Sequence, residues 1–198
     1  AGHREIVLTG IHLGAYGADI RPKTDLLSLC RAIEKSGSVQ RLRLSSVEPR
    51  EVSDEMIDCL RNSKALCGHF HIPLQSGDDN ILRLMGRDYD RAFFRNLLEK
   101  ITSALPEAAI GIDVMAGFPG EDDAAFERTL QFVESLPVAY LHVFPYSERP
   151  GTAALELPGR VPGPVKSSRG EKLRRLGQKQ RRAFAERFLG KTLKVLGE

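Results

Sequence analysis

Residues 69–79, with the sequence HFHIPLQSGDD, carry side chains that could bind a metal or a polar ligand. If the first part of this stretch is a β-strand, one of its faces carries His69, His71, Pro73 and Gln75, and the other carries Phe70, Ile72 and Leu74. A buried strand of a parallel sheet is usually a continuous run of Val, Ile and Leu. The polar row therefore indicates a strand whose inner face meets something hydrophilic.

Two later apolar stretches repeat the pattern, with Asp113 in GIDVMA and His142 in YLHVFP. Three interpretations are open. The polar face could be a water-filled, hydrogen-bonded interior without a ligand. It could be a divalent-metal site of a lyase or hydrolase, with His69, His71, Asp113 and His142 as ligands. It could also hold a polar organic ligand, which the number of polar groups favours because each one buried unpaired costs about 1–3 kcal/mol.

The elements that position these residues alternate along the chain. Strand-like stretches begin at residues 5, 41, 69, 109 and 139, and amphipathic helical stretches lie between them in the order β-α-β-α-β-α-α-β-α-β. This order predicts an α/β fold with a parallel sheet built from right-handed βα units. A barrel or part-barrel is the predicted closure, and an open doubly wound sheet is the alternative.

A loop with glycine, hydroxyl or carboxylate groups follows each predicted strand. In parallel α/β sheets the carboxyl ends of the strands form the binding face, and glycines let backbone amides approach a ligand closely. The five loops together therefore predict one binding site at this end of the sheet. They are TGIHLGAYG (9–17), SSVEP (45–49), QSGDD (75–79), GFPGE (117–121) and FPYSERPGT (144–152).

Composition excludes several classes of protein. Of the 198 residues 41% are hydrophobic and 28% charged, and no apolar run approaches a membrane span of about 20 residues. Three cysteines without a CxxC pair argue against a disulfide framework or zinc ribbon and favour a reducing cytosol. The net charge of +3 combines a basic stretch, 166–194, whose local balance is +9, with a mildly acidic remainder. A non-catalytic RNA-binding scaffold built on this stretch is a further alternative.

The loop sequences, taken jointly and in this order, resemble the radical S-adenosylmethionine (SAM) methylthiotransferases. Within that family the similarity is greatest to the branch that acts on N6-threonylcarbamoyladenosine in tRNA, and a ribosomal-protein substrate stays an alternative. The matching stretches are LTGIHLGAYG, RLSSVEP, HIPLQSGDDNILRLMGRDY, GIDVMAGFPGE and FPYSERPGTAA.

This resemblance implies an open, partial parallel βα barrel of the radical SAM type that lacks its first strand and cluster loop. The implied organisation is a partial barrel over 1–147, a Pro/Gly-rich linker over 148–165, a basic helix over 166–190 and the truncated start of an RNA-binding TRAM β-domain over 191–198. The family's CxxxCxxC loop is not found in this sequence. We therefore expect a central segment of a longer enzyme that is inactive by itself.

The resemblance also implies cofactors and partners. The whole enzyme would bind SAM and two 4Fe–4S clusters, none of them ligated by this segment, and would insert sulfur and a methyl group at C2 of a modified adenosine beside the anticodon. A 5′-deoxyadenosyl radical made from SAM would begin that reaction. The implied partners are tRNA and an electron donor such as flavodoxin or ferredoxin, with no membrane. We expect a cytoplasmic monomer.

Site residues follow from the matching motifs. No catalytic residue and no metal ligand is assigned from them. The resemblance places cofactor contacts at Thr9, Gly10, Ser45, Ser46, Glu48, Gln75, Ser76, Arg87, Gly117, Phe118, Pro119, Gly120, Phe144, Tyr146 and Ser147, with Arg87 pairing a carboxylate. Substrate contacts are predicted at His71, Asp113 and His142, and phosphate contacts on the basic helix at Arg174, Arg175, Lys179, Arg181 and Arg182.

Overall fold

The computed structural model describes residues 2–193 and residue 196. Its strands and helices follow the predicted alternation. The strands are β1 (Glu5–Leu8), β2 (Arg41–Leu44), β3 (His69–Gln75), β4 (Ala109–Ala116) and β5 (Tyr140–Pro145). The helices are α1 (Leu26–Ser36), α2 (Asp54–Asn62), α3 (Asp79–Leu84), α4 (Arg91–Ala104), α5 (Asp123–Glu134) and α6 (Gly163–Glu186), with short 3-10 helices at Leu13–Ala15, Pro49–Glu51 and Ala153–Glu156.

The strands form one parallel series in two hydrogen-bonded parts. β1 pairs with β2, and β3, β4 and β5 pair in that order. Two isolated parallel bridges, Leu42 with Leu66 and Ser46 with His71, connect the parts. Among the residues that the structure describes, β1 and β5 do not pair with each other, so the sheet is open. This confirms the predicted partial parallel barrel.

Local sequence explains where the helices begin. Ser53 accepts a hydrogen bond from the Met56 amide at the start of α2, as its position before the apolar residues predicts. Asp90 and Asp122 cap α4 and α5 in the same way, through the amides of Phe93 and Ala125. Each cap satisfies one backbone N–H that a helix cannot satisfy internally, so the strand-to-helix connections have defined ends.

The hydrophobic core lies between the sheet and the helices. Leu42, Ile72, Ile110 and Ile112 are fully buried on the strand faces that meet the helices, and Phe94 of α4 packs against them. This face carries the aliphatic half of each alternating strand. The polar half is therefore left on the opposite face, as the sequence predicts.

The carboxyl-terminal part of the chain differs from its predicted boundaries. α6 begins at Gly163 and ends at Glu186, whereas the basic helix is predicted over 166–190. Residues 191–193 have no regular structure, and residues 194, 195, 197 and 198 lie outside the described residues, so the strand predicted over 191–198 stays a prediction. None of the helices in the described part of the chain has the length and hydropathy of a membrane span.

Candidate active site on the polar face of the sheet

Asp113 of β4 is the centre of a hydrogen-bonded network on the polar face. His71 Nε2 lies 2.9 Å from Asp113 Oδ1, and His142 Nδ1 lies 3.4 Å from the same oxygen. Ser46 Oγ lies 2.7 Å from His71 Nδ1. The three predicted substrate-contact residues, from three neighbouring strands, therefore meet at one point together with one predicted cofactor contact.

The network is accessible rather than buried. His71 and Asp113 are partly exposed, and Ser46 and His142 are exposed. The carboxylate can accept from both imidazoles, and the outer edge of His142 is free to contact a ligand. The polar face is therefore internally hydrogen bonded and still presents polar atoms outwards. The cluster therefore agrees with two of the interpretations, because its inner atoms bond to one another and its outer atoms can still contact a ligand.

His69 does not join this cluster. Its Nε2 lies 2.9 Å from the Tyr140 hydroxyl, and its buried Nδ1 has no hydrogen-bond partner among the described residues. Burial lowers the pKa of His69 from 6.5 to about 4, so this imidazole is neutral near pH 7. The four-residue metal set is wrong in including His69, although ligand atoms of the other three members lie within 4.8 Å of one another.

Gly111 explains how Tyr140 reaches His69. A Cβ atom on Gly111 would lie 2.0 Å from Cζ of Tyr140, so the tyrosine ring lies directly over the glycine backbone. The ring stacks beside both His69 and His71, with centroids 6.1 Å from each. Only a residue without a side chain permits this contact, so the tyrosine ring covers the polar face at Gly111.

The strand-end loops add charged and polar groups beside the network. Glu48 Oε2 accepts a hydrogen bond from Arg87 at 3.0 Å, which is an ion pair within the chain, and both side chains are partly exposed. The predicted contact of Arg87 with a ligand carboxylate stays a prediction. Gln75 ends β3 with a φ of 69°, a left-handed conformation that is rare for residues other than glycine. This local strain lies at the edge of the polar face, where backbone strain is often associated with function.

The GFPGE loop is held by an ion pair that the sequence analysis missed. Glu121 is buried, and its Oε1 accepts from the Gly117 amide at 2.9 Å and from Arg169 of α6 at 2.8 Å. Arg169 also donates to the backbone carbonyl of Glu121 at 2.8 Å and to Asp123 at 2.7 Å. Arg169 cannot be distinguished in the sequence, because it is one of many cations in the basic stretch. Glu121 could have been noticed, because an acidic residue directly after a glycine-rich loop often accepts hydrogen bonds that fix the loop.

The end of β5 presents aromatic groups beside the same loop. Phe144 is 50% exposed on the polar side of the strand. The ring of Tyr146 packs edge-on against Phe118 with centroids 5.2 Å apart, and its hydroxyl is buried without a partner in the described residues. An exposed aromatic ring at a strand end is a surface on which a flat heterocycle can stack.

Not every predicted site residue presents its side chain here. The Ser76 hydroxyl is fully buried and lies 3.3 Å from Thr129 Oγ1, so only its backbone could meet a ligand. Phe118 and Pro119 are both buried, whereas Thr9, Gly10, Gly120 and Ser147 are exposed loop residues. The hydroxyl of Ser45 has no described partner, and its amide donates to the Leu8 carbonyl at 2.9 Å.

The predicted phosphate contacts on α6 divide into two groups. Arg175 pairs with Glu171, Lys179 with Glu134 and Arg182 with Glu186. Arg174 and Arg181 instead line a cleft between α6 and β5. The helix is therefore not uniformly cationic, because neighbouring carboxylates neutralise three of the five residues.

The cysteines do not form a site. Cys30 is buried in α1, where burial raises its pKa to about 11, and burial also raises the pKa of Cys59 and Cys67. Metal clusters are bound by thiolates, which these environments disfavour. Within residues 2–193 no cysteine belongs to a group of possible metal ligands, so the described thiols do not fit an iron–sulfur cluster.

Comparison with known proteins agrees with this geometry. The sequence model described as the Radical SAM superfamily matches residues 1–133. Among solved structures, E. coli coproporphyrinogen III oxidase (HemN), titled a radical SAM enzyme, superposes with a TM-score of 0.63 at 21% identity, covering 78% of this chain and 37% of that one. This structural likeness concerns the fold alone.

Curated relatives match over the whole chain. The threonylcarbamoyladenosine tRNA methylthiotransferase MtaB of Thermotoga maritima is 40% identical over 197 residues, 100% of this chain and 45% of the relative. MtaB of Bacillus subtilis is 38% identical, with 100% and 44% covered. A tRNA-2-methylthio-N(6)-dimethylallyladenosine synthase of Pelotomaculum thermopropionicum is 36% identical, again with 100% and 44% covered. The chain thus spans less than half the length of these relatives.

Proposed function

The chain belongs to the radical SAM superfamily, and from this premise we propose that it is the SAM-binding part of a tRNA methylthiotransferase. The family predicted from the loop motifs is confirmed at the level of the superfamily. The superfamily implies SAM and iron–sulfur chemistry. The finer assignment, to an enzyme that modifies C2 of an adenosine in tRNA, rests on the names of relatives with 36–40% identity.

One observation carries the proposal. Ser46, His71, Asp113 and His142 converge at the accessible face of a parallel sheet whose strand-end loops contain the motifs of the family. A sheet without function at this face would need only aliphatic packing. A hydrophilic face beside five polar loops suits a ligand with charged, hydroxyl and aromatic parts, which is the composition of SAM and of a nucleoside.

The strand-end residues offer complementary groups for SAM. In the proposed arrangement the guanidinium of Arg87 faces the methionine carboxylate and the carboxylate of Glu48 faces the amino group, because these charges are complementary. Ser45, Ser46 and Gln75 supply hydrogen bonds for the ribose, and Phe144 supplies a stacking surface for the adenine. Thr9, Gly10, Ser76 and the loop 117–120 close around the ligand mainly through backbone groups, and Tyr146 and Ser147 line its far edge.

The Asp113 cluster is proposed to hold the substrate base. Asp113 and the two imidazoles offer both donors and acceptors, which a purine edge requires. The reactive chemistry is supplied by SAM together with an iron–sulfur cluster. The described thiols of this chain do not fit the cluster, so the role assigned to its own residues is to orient cofactor and base and to exclude water.

Several properties of the whole enzyme remain part of the proposal. These are a second 4Fe–4S cluster, a flavodoxin- or ferredoxin-type electron donor, a monomeric state and a cytoplasmic location. The substrate class follows the relatives' names, with N6-threonylcarbamoyladenosine as the first candidate and an isopentenylated adenosine as the second. A mass increase of a methylthio group in tRNA digests, dependent on SAM and reductant, identifies which nucleoside is modified.

Calorimetry tests the SAM site directly. The gene product that contains this segment, reconstituted with iron and sulfide, is titrated with SAM as wild type and as Glu48→Gln and Gln75→Ala. We expect Glu48→Gln to bind SAM at least about tenfold more weakly, since losing a hydrogen bond to a charged group costs about 1.5–3 kcal/mol. Gln75→Ala should bind SAM about two- to tenfold more weakly, since a hydrogen bond to the uncharged ribose contributes about 0.5–1.5 kcal/mol. Lys100→Gln, an exposed change at a pair between α2 and α4, is the control. Wild-type affinity in both site variants would contradict the assignment.

A further inference from the structure

Arg174 and Arg181 differ from the cations of α6 that pair with carboxylates, and from Lys166 and Lys172, which lie over the rings of Tyr146 and Phe126. The charges of Arg175, Lys179 and Arg182 are matched by carboxylates, and Arg169 is buried against Glu121. Arg174 and Arg181, by contrast, form no ion pair or hydrogen bond within the described part of the chain, and both are exposed. They are therefore the uncompensated positive charges on the face of α6 that adjoins β5.

The two arginines share that face because they are seven residues apart. Seven residues make about two helical turns, so their Cα atoms are separated by about 10.5 Å along the axis. The guanidinium of Arg174 lies back over Gly170, where Nη1 would be 3.2 Å from an added Cβ. A glycine at 170 thus leaves room for Arg174 to lie along the helix beside the cleft.

Both arginines line a cleft of about 600 Å³ between α6 and the edge of β5. Ala109 and Ala139 place it at the amino-terminal end of the strands, opposite the loops proposed to bind SAM. His142 belongs both to the cleft wall and to the Asp113 cluster, so the cleft adjoins the polar face. The remaining lining residues are Tyr140, Leu141, Gly177, Gln178, Phe184 and Ala185.

The chemistry of the cleft suits a nucleotide. Guanidinium groups without counter-charges bind phosphate through several hydrogen bonds, and Gln178 adds an amide between them. Leu141 of β5 and Phe184 and Ala185 of α6 give the cleft an apolar surface as well, which is what an unstacked base requires. A binding site for a purely anionic ligand would not need this apolar wall.

We propose that the cleft binds a nucleotide of single-stranded RNA next to the modified base, with its phosphates at Arg174 and Arg181. The proposal rests on the proposed function, because it takes tRNA as the substrate. It goes beyond a basic helix that attracts RNA in general, since it selects two of the five predicted phosphate contacts and excludes the three that are paired with carboxylates. A loop of tRNA is single-stranded, so its bases can leave the stack and enter such a cleft.

Two double variants with the same charge change test the proposal. Arg174→Gln with Arg181→Gln removes the unpaired arginines, and Arg175→Gln with Arg182→Gln removes two paired ones from the same helix. Binding of a fluorescent tRNA transcript to the gene product is measured by anisotropy across salt concentrations. The affinity falls with salt, and each lost phosphate contact makes the plot of log K against log salt less steep by about 0.7–0.9. The first double variant should therefore reduce the steepness by about 1.4–1.8 and the second by much less.

The outcomes separate the inference from the proposed function. An equal decrease in salt dependence in both double variants would overturn the proposed nucleotide site, because the helix would then act through net charge alone. An unchanged slope in the first variant would overturn it as well. Wild-type protein that binds SAM but not tRNA would instead remove tRNA from the proposed function, and the cleft assignment with it. All four residues are exposed, and matched thermal unfolding of the variants confirms that folding is intact.

Discussion

The buried ion pair of Arg169 and Glu121 should contribute strongly to the stability of the GFPGE loop, and removing one partner tests this. The side chain of Arg169 is 6% exposed and that of Glu121 is 0% exposed. The variant Arg169→Met loses three hydrogen bonds, one to the Glu121 carboxylate, one to the Glu121 backbone carbonyl and one to Asp123. The carboxylate of Glu121 then keeps only the Gly117 amide as a donor. Removing one partner of a buried pair typically costs about 3–5 kcal/mol, and we expect a loss in this range.

A second variant separates charge from packing. Arg169→Met combined with Glu121→Gln removes both charges, and the glutamine oxygen can still accept from the Gly117 amide. Replacing a buried pair by neutral groups is often close to neutral, so the double variant should recover most of the loss. Urea unfolding at pH 7 measures both. A single-variant loss below about 1 kcal/mol, or a double variant as unstable as the single, would refute the reasoning.

The pH dependence of Arg169→Met gives an independent check. Burial raises the pKa of Glu121 above its ordinary 4.5, and without Arg169 it should rise further. A carboxyl group with a raised folded-state pKa contributes stability below its unfolded pKa and loses it as pH rises through the folded pKa. The variant should therefore be more destabilised, relative to wild type, at pH 8 than at pH 5.

Three further predictions concern the polar face and its loops. Since burial lowers the pKa of His69 to about 4, the free energy of unfolding should fall by up to about 3 kcal/mol as pH decreases from 6.5 to 4. His69→Gln should remove this pH dependence. Urea unfolding at several pH values measures it, and an unchanged pH dependence in the variant would contradict the prediction. Gly111→Ala would place a Cβ 2.0 Å from Tyr140 Cζ and should cost about 1–3 kcal/mol in thermal unfolding, but much less in a Tyr140→Ala background; additive losses would be evidence against the contact. Gly117→Ala, at a φ of 78° and with Lys166 Cγ 2.4 Å from the new Cβ, should lose more than about 1 kcal/mol, whereas Gly163→Ala meets no atom within 4 Å and should be neutral; equal effects would show that the loop tolerates a side chain.

The sequence predicts the alternation of elements and the polar face because both depend on local periodicity. His69 and His71 alternate with buried Phe70 and Ile72, as the period of a strand requires. The helix start at Ser53 follows from capping chemistry, which also acts over a few residues. Both properties depend on residues that are close in sequence, so they can be predicted without tertiary contacts.

The rest depends on residues that are distant in sequence. Arg169 lies 48 positions from Glu121, and nothing in the basic stretch distinguishes it from its neighbours before α6 is packed on the loop. Likewise His69 leaves the cluster of His71 because Tyr140, 71 positions away, reaches it over Gly111. The left-handed Gln75 arises at the bulge in the β3–β4 pairing, which residue type does not indicate.

Hydrogen exchange with and without SAM tests the central claim most directly. Peptides of the gene product are compared by mass spectrometry at a SAM concentration that saturates binding. If SAM binds at the strand ends, we expect slower exchange in the loops 9–17, 45–49, 75–79, 117–121 and 144–152, with no change in α2 and α4 on the other side of the sheet. Bound SAM that leaves these loops unprotected, or that protects the outer helices instead, would contradict it.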